Sequence, residues 1–240
     1  MKASDLPLPA ILARSFSTGG ELAAALASDV AASLACAMAA RGRATLAVSG
    51  GSTPKAFFAS LSEADIDWSS VTITLVDERA VPPDHARSNH RLVASILLAN
   101  NARAALFVPL WSEGPAGTAL VARAEAALST LPRPLDVVVL GMGLDGHTAS
   151  FFPGGSNLVA ALNPDSPAAV TSMEAQDAGE LRLTLTVPRL IEAGLLVLHI
   201  EGVEKQRVLD LALQPGPESD LPIRAVLRGA PKPVTVYWAP

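Results

Sequence analysis

Apolar positions along the chain fall into two rhythms. Leu22, Leu26, Val30, Leu34 and Met38 recur at helical spacing and predict a helix over residues 21–40, with Gly42 as its stop. Leu120, Ala124 and Leu128 repeat that spacing and predict a helix over 118–128. The second rhythm is a short apolar run bounded by turn residues. It occurs at 45–48, 71–76, 106–110, 135–140, 195–200 and 234–238, and it reads as strands buried on both faces. Shorter helices are predicted after Pro54, over 89–99, 157–162, 204–213 and 222–227, and from Pro188 onward. Residues 168–173 and 181–187 read as an antiparallel pair across a turn at 176–179. Residues 1–18 read as an irregular lead-in.

Strands alternating with helices predict an α/β fold: an open, largely parallel sheet with helices on both faces and some antiparallel strands in the C-terminal half. No repeat and no long linker divides residues 1–240, so one domain is expected.

Composition narrows the partners. Half of the 240 residues are hydrophobic and only 4% aromatic, so the core should be aliphatic. A net charge of −5 argues against nonspecific nucleic-acid binding, which needs a basic footprint. The lone Cys36 allows no internal disulfide, fits a reducing cytoplasm, and sits in a helical pattern where a core position is expected. Lys2 followed by Asp5 and two prolines is unlike a signal peptide. Ser28, Asp29 and Ser33 interrupt the Ala-rich segment, so no membrane span is expected.

The candidate chemistry lies where strands end. The run 135–140 stops at Gly141-Met142-Gly143 and is followed by Asp145, His147 and Thr148. The run 45–48 enters Ser49-Gly50-Gly51-Ser52-Thr53. Pro54 then opens a helix with Thr53 as its cap, the kind of strand–loop–helix start that binds anions. This loop lacks both the P-loop ending and the dinucleotide glycine spacing. The run 71–76 ends in Asp77-Glu78-Arg79, and Ser88-Asn89 cap the next helix. In a parallel sheet these three ends share one edge. Lys205, in the first turn of its helix, opposes the helix dipole, which points to an anionic partner. His85 and His90 lack companions at metal-ligand spacing, so no metal is expected.

With these segments in order, the chain resembles the 6-phosphogluconolactonase family, within the wider group that holds glucosamine-6-phosphate deaminases. The matching segments are Ser49 to Pro54, Asp77-Glu78-Arg79 with Ser88-Asn89, and Gly141 to Ser150. Weaker matches follow at 182–186 with Pro188, and at 202–205. Deaminases resemble Asp-Gly-His-Ile-Ala-Phe-Asn-Glu-Pro after the glycines. This chain reads Asp145-Gly146-His147-Thr148-Ala149-Ser150-Phe151-Phe152-Pro153, without that Glu. Phe151 stands where lactonases commonly have Leu, an exchange that should affect packing more than chemistry.

The resemblance implies a Rossmann-like, NagB-type fold and a cytoplasmic hydrolase of 6-phospho-D-glucono-1,5-lactone in the pentose phosphate pathway. It implies no cofactor and no metal, and a monomer is the working expectation. His147 would be the general base, with Asp145 either orienting it or shaping the loop. Ser49, Gly50, Gly51, Ser52 and Thr53 would hold the phosphate, with Asp77, Arg79, Arg189 and Lys205 as further binding candidates. Arg79 or backbone N–H groups near Gly143 would meet the oxyanion. The alternatives are a deaminase/isomerase of amino-sugar phosphates, distinguished by ammonia release, and a sugar-phosphate sensor without turnover.

Overall fold

The computed structural model describes residues 10–176 and 178–240. The chain runs β1 (Ile11–Ser15), α1 (Gly19–Arg41), β2 (Ala44–Val48), α2 (Lys55–Ser62), β3 (Val71–Leu75), β4 (Asp77–Arg79), α3 (Asn89–Leu92), β5 (Leu106–Val108) and α4 (Thr118–Leu128). It continues β6 (Val137–Leu140), α5 (Leu158–Leu162), β7 (Val170–Met173), β8 (Arg182–Leu185), α6 (Val187–Ile191), β9 (Leu195–Glu201), α7 (Val203–Ala212), α8 (Ile223–Gly229) and β10 (Val234–Ala239).

Seven strands form a parallel sheet in the order β1-β10-β9-β6-β2-β3-β5. All residues of β2 and β6 are buried, as expected of central strands covered on both faces. Each fully buried Leu or Ile in that core, such as Leu46 or Ile73, contributes roughly 1.5–3 kcal/mol. From β2 the chain steps outward through β3 to β5. It then returns to the other side of β2 and steps outward again through β6, β9 and β10. The order therefore reverses between β2 and β6, where open α/β sheets leave a crevice at the carboxyl ends of their strands. Asp136 fixes the opposite end: its carboxylate accepts from the Thr45 N–H at 2.7 Å and the Thr45 hydroxyl at 2.9 Å.

A smaller antiparallel sheet, β4-β8-β7, hangs from the carboxyl end of β3. The Leu185 N–H donates to Val76 O at 2.9 Å and ties the two sheets together. The expected antiparallel pair is therefore present, although Asp177 of its turn lies outside the described residues. The first nine residues also lie outside them, so the reading of a leader-free N-terminus is not addressed there.

Four expectations need correction. The lead-in contains β1, an edge strand in five-residue register with β10. Four of its five residues are exposed, so no apolar rhythm marks it. Cys36 is exposed, not core. Helix α1 buries one stripe, Leu22, Ala23, Leu26, Ala27, Val30, Leu34 and Ala37, and Cys36 lies two residues from Leu34, on the opposite side. The helix expected over 89–99 is α-helical only through Leu92. It continues as a wider π turn over Val93–Leu97, where Leu98 N–H reaches Val93 O at 2.9 Å. Thr53 does not cap α2: Pro54 occupies the cap position, and no side chain bonds there. Helix α1 is long and apolar enough to cross a membrane by length and composition. Its buried stripe belongs to the core that also holds β2, β6 and β10.

Candidate active site

The crevice between β2 and β6 is a cavity of about 390 Å³, within the usual size of small-molecule sites. Ser49, at the end of β2, stitches the two strand ends together. Its N–H donates to Val139 O at 3.0 Å, and its hydroxyl accepts from Gly141 N–H at 3.1 Å. The loop 49–53 forms one wall, and 141–147 forms the other.

The 141–147 wall is folded around an imidazole. Gly143 N–H donates to His147 O at 2.9 Å and Gly146 N–H to Gly143 O at 3.1 Å, closing a tight turn. Inside it, His147 Nδ1 lies 2.6 Å from Asp145 Oδ1. A carboxylate can only accept, so Nδ1 carries the proton, and in the neutral imidazole Nε2 then holds the lone pair. Asp145 thus orients the ring and also shapes the loop, since the same oxygen accepts the His147 backbone N–H at 3.2 Å. Burial pushes the Asp145 carboxyl up, but the hydrogen bond and charge of His147 outweigh it and leave the group below its ordinary 3.8. A Cβ on Gly143 would stand 2.2 Å from His147 Nδ1 and 2.5 Å from Asp145 Oδ1, so the pair requires glycine there. Phe152 closes the other side, its ring centroid 4.6 Å from that of the imidazole. The Gly143 N–H, engaged with His147 O, is not free for an oxyanion.

The third wall comes from the small sheet. Asp77 is buried and lines the cavity; Ser150 donates to its Oδ2 at 2.6 Å. Asn89, expected only as part of a helix cap, donates to Asp77 O at 2.9 Å and accepts from Arg79 Nη1 at 2.9 Å. Its carboxamide occupies the space where a Cβ on Gly50 would be, 1.9 Å away. Glu78 turns away from the cavity and accepts the backbone N–H groups of Arg79, Asn89 and His90 at 2.7–2.8 Å, which fixes the loop between β4 and α3. Burial raises its carboxyl, while those hydrogen bonds oppose the rise.

Arg182 is the site residue that the sequence reading overlooked. It opens β8 directly across from Arg79, with which it pairs in register. Two like charges facing each other across strands are unfavourable unless an anion joins them. Arg182 is 9% exposed, and burial, then the Arg79 charge, pushes its guanidinium down. The Nε of Arg79 and that of Arg182 are both buried without a partner. The Arg182 guanidinium also lies 5.6 Å from the Phe152 ring centroid, which links the cationic wall to the ring beside His147. A cation opening a strand of otherwise apolar and Thr residues was the available signal.

Lys205 completes the cavity from the start of α7, its Nζ donating to Thr53 Oγ1 at 3.3 Å. Ser49, Gly50, Gly51, Ser52, Thr53, Asp77, Arg79, His147 and Lys205 are thus gathered around one cavity, with Asp145 behind His147. Arg189 is not among them. It is buried in α6 and donates to Pro132 O at 2.8 Å, just before β6, at the opposite edge of the sheet. There it satisfies a loop carbonyl. Among the described residues no three His, Cys, Asp or Glu side chains cluster as a metal site.

Known proteins agree with this architecture. A family model described as glucosamine-6-phosphate isomerases/6-phosphogluconolactonase matches residues 17–238. A 6-phosphogluconolactonase of Rhizobium meliloti (strain 1021) is 59% identical over 225 residues, covering 94% of this chain and 97% of the relative. One from Mesorhizobium japonicum is 54% identical over 220 residues, covering 92% of each. The crystal structure of a 6-phosphogluconolactonase from Shewanella baltica OS155 superposes with a TM-score of 0.94 at 42% identity, covering 97% of this chain and 99% of that one. With a family model matching residues 17–238 and a relative 59% identical over 94% of the chain, the chain belongs to the glucosamine-6-phosphate isomerase/6-phosphogluconolactonase family.

Proposed function

We propose that this chain hydrolyses 6-phospho-D-glucono-1,5-lactone to 6-phospho-D-gluconate, with His147 as general base. The observation that carries the reading is the His147–Asp145 pair at a cationic cavity, with Phe152 against the imidazole. Phe152 stands where the deaminase pattern has its Glu, so the ring replaces the carboxylate that ring opening and amine chemistry would use.

Water attacks C1 of the lactone while His147 Nε2 takes its proton. The tetrahedral intermediate collapses, the bond from C1 to the ring oxygen breaks, and the imidazolium returns the proton to that oxygen as a hydroxyl. The product acid then ionises at neutral pH. Arg79, Arg182 and Lys205 together neutralise the phosphate dianion and the charge that develops on the carbonyl oxygen. Loop 49–53 holds the phosphate with its N–H groups and hydroxyls, and Asp77 accepts from a sugar hydroxyl.

A pH-stat assay with the spontaneous rate subtracted tests the reading. Base uptake should be proportional to enzyme, and inorganic phosphate should compete with the lactone. Ammonia release from glucosamine 6-phosphate would move the chain to the deaminase branch, and ligand-dependent melting without turnover would make it a sensor.

Asp145→Asn offers Nδ1 an amide that can donate, which favours the wrong imidazole tautomer. The expected loss in kcat is roughly 10–100-fold, the scale on which losing a carboxylate partner of a functional histidine acts, with KM little changed. The sign with pH also follows. A depressed carboxylate keeps its contribution above its ordinary 3.8 and loses it only as pH falls through the lower folded value. The pair therefore persists across the neutral and mildly acid range. Circular dichroism from pH 4 upward should therefore show no unfolding step from loss of the pair.

A further inference from the structure

Ser150 has no part in the chemistry above, yet its side chain is fully buried and its hydroxyl donates to Asp77 Oδ2 at 2.6 Å. The chain is bent to bring it there. Ala149, just before it, has a φ of 49°, in the left-handed region that a side chain disfavours. A non-glycine residue keeps such a conformation only where its surroundings impose it, and such places cluster at functional sites. Here three bonds impose it. Thr148 Oγ1 donates to Gly141 O at 2.7 Å, Phe151 N–H closes a turn on Thr148 O at 3.0 Å, and Ser150 N–H donates to Thr184 Oγ1 at 3.3 Å.

Thr184 sits on β8 directly across from Asp77 on β4, so the anchor and the carboxylate are register partners. It is fully buried as well, and its own hydroxyl donates to Leu185 O at 3.1 Å. Ser150 is thereby fixed beside Asp77. The two Asp77 oxygens are not used alike. Oδ2 takes the short bond from Ser150. Oδ1 has only a long contact of 3.4 Å from Asn89 Nδ2, whose shorter bond goes to the Asp77 backbone oxygen at 2.9 Å. A carboxylate offers about four acceptor positions, so one oxygen is held while the other keeps room for a donor from the cavity that Asp77 lines.

We propose that Ser150 is a positioning residue for Asp77, and that the pair sets a preference for lactones carrying a ring hydroxyl where Asp77 reaches. The proposal rests on the cavity being the site of the phosphosugar lactone, with Asp77 as acceptor of a ring hydroxyl. Ser150 itself need not touch the substrate. It gives the carboxylate one orientation before the sugar arrives, so the bond to the hydroxyl requires no further ordering of that side chain. Without Ser150, Asp77 keeps its place on β4 but loses its fixed rotamer, and a buried acceptor loses its donor. A residue that only filled space would leave the recognition of ring hydroxyls unchanged when its own hydroxyl was removed.

The experiment measures kcat and KM for 6-phospho-D-glucono-1,5-lactone and for the analogues that each lack one ring hydroxyl, with the inhibition constant of inorganic phosphate. The proteins are wild type, Ser150→Ala and Thr184→Val. Wild type should show a KM raised about tenfold for at least one analogue, the scale of one hydrogen bond to a charged group. Ser150→Ala should raise KM for the parent lactone about tenfold, with kcat within about twofold. It should discriminate little against that analogue, because the bond the analogue lacks is already weakened. The phosphate constant should stay within about twofold, since loop 49–53 forms another wall of the cavity. Thr184→Val keeps the shape of its side chain and should move KM the same way by less. Wild type that disfavours no analogue, a parent KM unchanged in Ser150→Ala, or undiminished discrimination overturns the proposal. So does a phosphate constant that weakens in step, or a fall in kcat at constant KM. Should Ser150→Ala not fold, the discrimination shown by Thr184→Val decides. A wild type that does not open the lactone would remove the reading of the cavity, and this proposal with it. Wild-type turnover with an unchanged Ser150→Ala removes the proposal alone.

Discussion

His147→Ala should slow lactone hydrolysis by about 10²–10⁴-fold, the range that a well-placed general base supplies. The loss should fall on kcat, because the groups proposed to hold the phosphate, loop 49–53, Lys205 and the two arginines, line the cavity from other elements. The fold should survive: His147 is partly exposed on a surface turn, and the bonds that close that turn are made by backbone atoms. The measurement is a pH-stat rate with the uncatalysed reaction subtracted, beside a melting curve. The lactone opens unaided, so a residual rate must be shown to scale with enzyme before it counts. A variant at wild-type rate with unchanged KM would remove His147 from the chemistry.

Gly143→Ala is the second severe change, although it deletes no functional group. The added methyl would stand 2.2 Å from Nδ1 and 2.5 Å from the Asp145 oxygen. Both distances are far inside van der Waals contact, so the ring and carboxylate must separate. A displacement on the order of 1 Å at a reacting group can cost about 10²-fold. The rate should therefore fall by roughly that factor, with inorganic phosphate still competing as in wild type. Phosphate competition lost together with rate would mean that the turn had collapsed across the crevice. Full activity would mean that the pair tolerates separation.

Much of the site could be read from the chain because glycines and charges interrupt the apolar runs at 48/49, 76/77 and 140/141. In a parallel sheet, chain direction alone then gathers those interruptions at one edge. What could not be read depended on partners distant in sequence. Residues 11–15 have no apolar rhythm, and β10, more than 200 residues away, makes them a strand. Arg182 and Arg189 are both arginines near the same weak motif, but they end at opposite edges of the sheet. Arg182 opens β8 at the crevice, while Arg189 sits in α6 beside the entry to β6. Asn89 read as a helix cap because its role at Gly50 requires β2 and α3 to meet. Thr53 read as a cap for the same reason: its hydroxyl is engaged by Lys205, 152 residues along the chain.

The single hydroxyl of Ser49 has a consequence for selectivity. It joins the end of β2 to the start of the glycine turn, and so ties the proposed phosphate loop to the turn that carries His147. On the proposed mechanism the two walls act together, like a caliper set at one width. A lactone that spans the gap has its carbonyl delivered to Nε2 by the act of seating its phosphate. One that is a carbon shorter, or lacks the phosphate, finds one jaw without the other and loses the alignment along with the contact.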